Sequence, residues 1–157
     1  MIQTFTKPET RFLSNFYPYK NKNGDTHPCP VTVIYRGLIF DCVENAYQAA
    51  KAANPADMIQ FTKMTPFHSK KFVDDGGLKV RSDWDSIKLH VMTDLVRQKF
   101  TNNIGLKNML LSTGRQRLIE GNDWGDVFWG VCEGKGRNNL GKILMKIRKD
   151  LKIEAKK

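Results

Sequence analysis

The sequence predicts an α+β fold, mostly α-helical, as a single domain over residues 1–157 with a small β-sheet. Three observations lead there. Alternating β-branched and aromatic residues occur once, early in the chain; later apolar residues recur at helical spacing; turn residues part the segments without a repeat, low-complexity tract or linker. A length of 157 residues, 40% of them hydrophobic, suits one domain with one core and argues against disorder.

Taken in order, residues 31–35 and Leu38, Ile39 and Phe40 flank Arg36–Gly37 and predict a hairpin. After Asp41 the period changes. Val43, Ala46, Tyr47 and Ala50 share one helical face. Asn54 followed by Pro55 and Asp57 is a helix-start signal, Thr65–Pro66 repeats it, and Gly76–Gly77 marks a stop. Ser82 or Asp83 then caps a longer helix reaching about Phe100, with Trp84, Ile87, Val91, Leu95 and Val96 as its apolar stripe. Leu106, Met109 and Leu110 predict a short helix closed by Gly114. Leu140, Ile143, Leu144, Ile147 and Leu151 line a final amphipathic helix.

Composition narrows the function. No apolar run approaches the ~20 residues that cross a bilayer, and the N-terminus lacks a signal-peptide core, so a cytoplasmic protein without membrane association is expected. Cys29, Cys42 and Cys132 lack metal or redox spacing and read as reduced structural thiols; the histidines show no ligand spacing either. No metal and no cofactor are expected. The net charge of +10 favours anionic partners: nucleotides, sugar phosphates or nucleic acid. Part of it is a basic C-terminal tail, with a solvated helix face as the plainer reading.

Three clusters carry chemistry. The most informative runs from Asp126 through Trp129–Gly130 to Gly134, Lys135, Gly136, Arg137, Asn138 and Gly141, just before the last helix. Glycines let backbone N–H groups approach a ligand, and a helix N-terminus favours an anion. Half of a binding site for a phosphorylated, partly aromatic small molecule is therefore expected here. The spacing fits neither a dinucleotide fold nor a nucleoside-triphosphatase loop. In the second cluster, Glu44, Tyr47, Gln48 and Lys51 occupy adjoining positions of one helix face. A carboxylate at a helix start can activate water, while surface charges and a core tyrosine are the plainer reading. In the third, Arg81 and Lys88 can hold phosphate and Trp84 can stack on a base. Core packing for Trp84 and a helix-surface pair between Asp85 and Lys88 remain open.

In this order, with Phe12, Leu13, Ser14, Asn15 and Phe16 at the start, these motifs resemble the NADAR superfamily of YbiA-like N-glycosidases. The likeness spans about residues 10–151 and leaves a basic tail at 152–157. It implies cleavage of an N-glycosidic bond between ribose phosphate and a base or amine, above all in ribosylamino-pyrimidine phosphates of riboflavin synthesis. Removal of ADP-ribose from guanine in DNA, or action on NAD-derived ADP-ribose, is the family's other branch. The implied partner is thus a phosphorylated ribosyl small molecule or ADP-ribosylated DNA.

Family positions fall on Glu44, Trp84, Asp126 and Trp129. Glu44 would activate water or stabilise a cation, and Asp126 would hold ribose hydroxyls or act as second acid. Trp84 and Trp129 would wall the base. Lys51, Arg81 and the loop of Lys135, Gly136 and Arg137 would meet phosphate, and Asn15 and Asn138 would bind ribose or base. Phe16, Tyr47, Lys88 and Gly130 complete the implied binding set. Where bacterial members carry an acid after the Trp-Gly pair, this chain has Val131, so a second carboxylate falls to Asp126 or Glu133. The rival reading is a non-catalytic nucleotide- or nucleic-acid-binding module with the tryptophans as stacking platforms.

Overall fold

The structure, a computed structural model, describes residues 1–157 and folds as two compact units: Asn15–Asn103, and Met1–Ser14 together with Ile104–Lys157. None of its helices is long and apolar enough to cross a membrane.

In the unit Asn15–Asn103, β1 (Val33–Tyr35) pairs antiparallel with β2 (Leu38–Phe40), Val33 opposite Phe40. Arg36 (φ 46°) and Gly37 (φ 79°) both take the left-handed conformation that a two-residue hairpin requires. Alternation sets the faces: Val33 and Phe40 are buried, while Ile34 and Ile39 point to solvent. The Gln98 side chain accepts from Ile34 N (2.7 Å) and donates to Ile34 O (2.9 Å), tying the exposed strand edge to a helix.

Helix α1 (Val43–Ala50) lies at the centre of this unit, against α2 (Pro66–Asp74), α3 (Trp84–Thr101) and β1, and every one of its residues is buried. The Thr65 hydroxyl caps α2 by accepting from His68 N, with Pro66 at the first turn as expected. Asn54 also caps, through Ala56 N, but the result is a 3-10 turn, Pro55–Asp57, followed by another, Ile59–Lys63. The apolar residues explain the difference. Met58 and Phe61, three apart, are both buried, and that spacing matches a three-residue turn. On α3, Trp84, Val91, Leu95 and Val96 are buried as expected, whereas Ile87 is half-buried. Asp83 precedes α3 without capping it through its side chain.

In the other unit, α4 (Ile104–Ser112) buries Leu106 and Leu110 and leaves Met109 exposed; the four-residue pair takes the core position. Gly114 (φ 66°) follows α4. Residues 117–121 run beside the N-terminal segment, with Ile2 N donating to Arg117 O (2.8 Å) and Ile119 N to Ile2 O (2.8 Å). Two short parallel strands that the sequence did not announce, β3 (Gly121–Asn122) and β4 (Val131–Cys132), lie between α4 and α5 (Asn139–Ala155). Leu140, Leu144, Ile147 and Leu151 form the buried stripe of α5, with Ile143 half-buried.

Candidate active site

The α1 cluster forms around a buried acid. Cys42 is extended (φ −156°, ψ 156°), and α1 starts at the next residue. Glu44 N then donates to Asn15 O (3.1 Å), which fixes the backbone that carries the carboxylate. Glu44 is only 7% exposed, so the surface-charge reading is wrong for it. Gln48, one turn on, donates from Nε2 to Glu44 Oε1 at 2.7 Å. Its own Oε1 is buried and meets no donor from the protein. An unsatisfied buried acceptor costs on the order of 1–3 kcal/mol, so this oxygen is what packing alone would have avoided.

Lys51 closes the same face. Its ammonium lies 5.1 Å from the Tyr47 ring centroid and 5.9 Å from that of Trp84. Those rings meet edge to face at 5.1 Å, and both residues are buried. The faces of Tyr47 and Trp84 thus serve Lys51, and Trp84 is a wall of the cluster rather than an open stacking platform. A backbone bridge between Ala52 and Val80, with Arg81 N donating to Lys51 O (2.8 Å), holds the end of α1 beside the approach to α3.

Burial sets the electrostatics. Desolvation pushes the Glu44 carboxyl above its ordinary value, opposed by the Gln48 hydrogen bond and then by the charges of Lys51 and Lys70. Desolvation likewise pulls the Lys51 ammonium down, opposed by Glu44. A carboxylate poised upward beside a cation poised downward is the pairing expected of an acid–base site.

Two cations assigned to phosphate already have carboxylate partners. Arg81 makes a two-point pair with Asp83 (2.6 and 2.9 Å), and Lys88 pairs with Asp85 at 3.1 Å, the helix-surface option left open by the sequence. Asn15 is buried, donating from Nδ2 to Met92 Sδ (3.4 Å), and Phe16 packs edge-on to Phe67 with centroids 4.9 Å apart. Lys70, from α2, joins the field around Glu44 although no local motif announced it; the contact is tertiary.

The Gly-rich segment belongs to the other unit and differs from expectation. Its N–H groups turn inward: Arg137 N donates to Val127 O (2.8 Å), Asn138 N to Gly130 O (3.2 Å), Asn139 N to Phe128 O (3.3 Å) and Leu140 N to Trp129 O (3.0 Å). The start of α5 is thereby satisfied by a neighbouring strand of chain, which removes the reason to seat a phosphate on it. The glycines serve the same approach. A Cβ on Gly136 (φ 148°) would strike Gly130 O, and one on Gly130 would strike Glu120 O. Asn138 is also committed to the fold. Held at φ 52°, it accepts from Glu120 N (3.0 Å) and donates to Leu118 O (2.9 Å), so the expected contact to ribose or base gives way to a structural one. Lys135 is exposed, its backbone paired with Cys132.

Asp126 accepts from Phe128 N (3.1 Å) and Trp129 N (2.9 Å), both on Oδ1, and so aims the half-buried Trp129, which packs edge-on against Phe128. Trp124, which the sequence did not single out, is 57% exposed in the same loop.

Helices around a small hairpin, with the buried Glu44–Gln48 pair and the half-buried Lys51 on one face, make an α+β fold that carries an enzyme-like polar site. The profile of the NADAR domain matches residues 4–152, and the chain belongs to that family. It is 30% identical over 147 residues to the N-glycosidase YbiA of Escherichia coli, covering 90% of each chain. It is 33% identical to the N-glycosidase Npun_R5314 of Nostoc punctiforme, covering 89% of this chain and 85% of that one. A 33% match to the riboflavin biosynthesis protein VVA0006 of Vibrio vulnificus takes in 92% of this chain but only 36% of that longer protein. The solved structure of E. coli YbiA superposes with a TM-score of 0.78 at 28% identity, over 99% of this chain and 89% of that one.

Proposed function

We propose that this chain is a cytoplasmic N-glycosidase that hydrolyses ribosylamino-pyrimidine phosphates of riboflavin synthesis. The observation that carries the proposal is the buried Glu44 carboxylate, held by Gln48 and flanked by Lys51. A non-catalytic binding module for polyanions gains nothing from a desolvated acid. A hydrolase does. The relatives named as N-glycosidases support the same reaction class.

In the proposed reaction the bond from the ribose anomeric carbon to nitrogen breaks through an oxocarbenium-like transition state. Its electron pair goes to the leaving nitrogen, which takes a proton from solvent, balanced when Glu44 returns to solvent the proton it accepts. Water adds to the anomeric carbon, and Glu44 accepts the proton that the water gives up. The products are the free sugar phosphate and the amine. Gln48 Oε1 supplies a fixed acceptor for a sugar hydroxyl, and Lys51 balances anionic charge beside the acid. Arg81 and Lys88 reach phosphate by exchanging exposed partners, Asp83 and Asp85, whose surface pairs are weak. Asp126 and Trp129, at family positions of the other unit, are not needed for this step: Asp126 spends Oδ1 on its own turn.

The test supplies the purified protein and Glu44→Gln with a ribosylamino-pyrimidine phosphate and, separately, with ADP-ribosylated guanine DNA. Free ribose 5-phosphate from the first substrate is expected, falling about 10²–10⁴-fold in the variant. Release of ADP-ribose alone would move the chain to the other branch of the family. A near-normal rate in the variant would remove Glu44 from the mechanism.

A further inference from the structure

A second feature of the molecule is unrelated to Glu44. Along α5 runs an open groove of about 430 Å³, lined by Arg115, Arg148, Lys149, Lys152 and Lys156 over a floor that includes Met145 and Ile153. No carboxylate lines it. At 3.6 residues per turn, Arg148, Lys152, Lys156 and Lys149 fall within about 100° of the helix circumference. Asp150 and Glu154 lie on the next sector, where Asp150 pairs with Lys146. The single-signed face is therefore a property of the fold and not only of a basic composition.

Two of the cations are fixed by neutral groups and keep their charge uncancelled. Arg148, only 7% exposed, donates from Nη1 to the Thr113 hydroxyl at 2.7 Å, and that hydroxyl in turn donates to Leu110 O at 2.6 Å. Lys152 donates to Gly114 O at 2.6 Å. A buried guanidinium with a hydroxyl partner and no counter-charge is costly by itself, and an incoming anion relieves that cost.

We propose that this groove binds the phosphate backbone of duplex nucleic acid. From Arg148 to Lys156 the helix rises about 12 Å, too long for one phosphate and equal to three or four nucleotides at about 3.4 Å per strand. No aromatic side chain lines the groove, so there is no platform for unpaired bases, which favours a duplex over a single strand. Its concavity fits a projecting backbone better than a flat lipid surface. Contacts to the backbone carry no sequence information, so binding is independent of sequence.

The test is fluorescence anisotropy of a short DNA duplex with the full chain across a salt series. Three to four phosphate contacts give a log–log salt slope of about −2.7 to −3.6, or a loss of roughly 40–150-fold between about 50 and 200 mM salt. Lys149→Glu/Lys156→Glu changes two exposed side chains without hydrogen-bond partners. It lowers the slope by about 2 and weakens binding at least tenfold. Lys20→Glu/Lys22→Glu removes the same charge from exposed positions of the other unit and leaves most of the binding intact. Equal weakening by the two pairs, absence of binding at low salt, or binding to phosphatidylserine vesicles with the duplex ignored would each overturn the proposal. Because the readout is binding, loss of glycosidase activity in any variant leaves the result unaffected.

Discussion

Replacing Gln48 by leucine tests the active-site proposal most closely. Gln48 is 2% exposed and its amide does two things: Nε2 holds Glu44 Oε1 at 2.7 Å, and Oε1 lies buried without a protein donor. Leucine preserves the apolar bulk and removes both polar atoms. Losing a hydrogen bond to a charged group is worth about 1.5–3 kcal/mol, which corresponds to roughly 10–150-fold in kcat/KM. Stability should fall near neutral pH, since Glu44 keeps its buried charge and loses its donor, a cost offset only in part by the disappearance of the unsatisfied acceptor. The pH profile separates a positioning role from a merely structural one. Gln48 donation lowers the Glu44 pKa against desolvation; without it the carboxyl moves further up, and the acid limb of kcat/KM shifts to higher pH if Glu44 works ionised. Steady-state release of ribose 5-phosphate across pH, with thermal unfolding in parallel, reads both. A wild-type rate with an unmoved acid limb would refute the role given to Gln48 and weaken that of Glu44.

Other outcomes follow from the same geometry. Glu44→Gln should trade activity for stability. Burial holds the folded carboxyl above its ordinary 4.5, so its contribution is intact below that value and is lost as pH rises through the raised folded one. The melting-temperature difference between the variant and its parent should therefore grow in favour of the variant as pH climbs past 4.5. Asp126→Ala removes the acceptor of two backbone N–H groups and should cost about 2 kcal/mol, or roughly 4–8 °C in Tm by calorimetry; Asp126→Asn keeps an acceptor and should retain most of that stability. Gly136→Ala places a Cβ against Gly130 O at φ 148° and should destabilise by about 1–3 kcal/mol in denaturant titration. A Gly136→Ala variant as stable as its parent would show that residues 130 and 136 do not meet.

Where structure followed local rules, the sequence was legible. The hairpin announced itself by alternation and by Arg36–Gly37, and α2 by Thr65–Pro66, because strand periods, turns and caps act within a few residues. Partners far along the chain were not legible. Gly130 and Gly136 resembled a phosphate cradle, yet their backbone freedom is used to bring residues 118–122, 127–131 and 136–141 together. Lys99, in the last turn of α3 where a lysine suits the helix end, is 1% exposed, its ammonium 5.4 Å from the Tyr17 centroid and 5.0 Å from that of Phe100. Arg148 lies among the basic residues of the last helix, whose polar face reads as solvated, and is buried against Thr113. In each case the spacing was right for two environments and only the tertiary neighbour decided between them.

The α1 helix itself separates structural from functional polarity. Asn45 and Gln48, three residues apart, carry the two side-chain amides of a helix with no exposed position, so both needed partners on folding. Asn45 found them: Nδ2 donates to Met64 O at 2.7 Å, and Oδ1 accepts from Ser69 Oγ at 2.6 Å, which fastens α1 to the approach and body of α2. Its polarity is fully accounted for by packing. Gln48 is half satisfied, and its one partner is a carboxylate that burial already strains. A helix evolved for stability alone would favour leucine at position 48 and an apolar residue at 44, since replacing both partners of a buried polar pair is close to neutral or better. Retaining an acid, an amide with a free acceptor and a desolvated lysine on one buried face makes sense when a hydroxylated, anionic substrate completes the network.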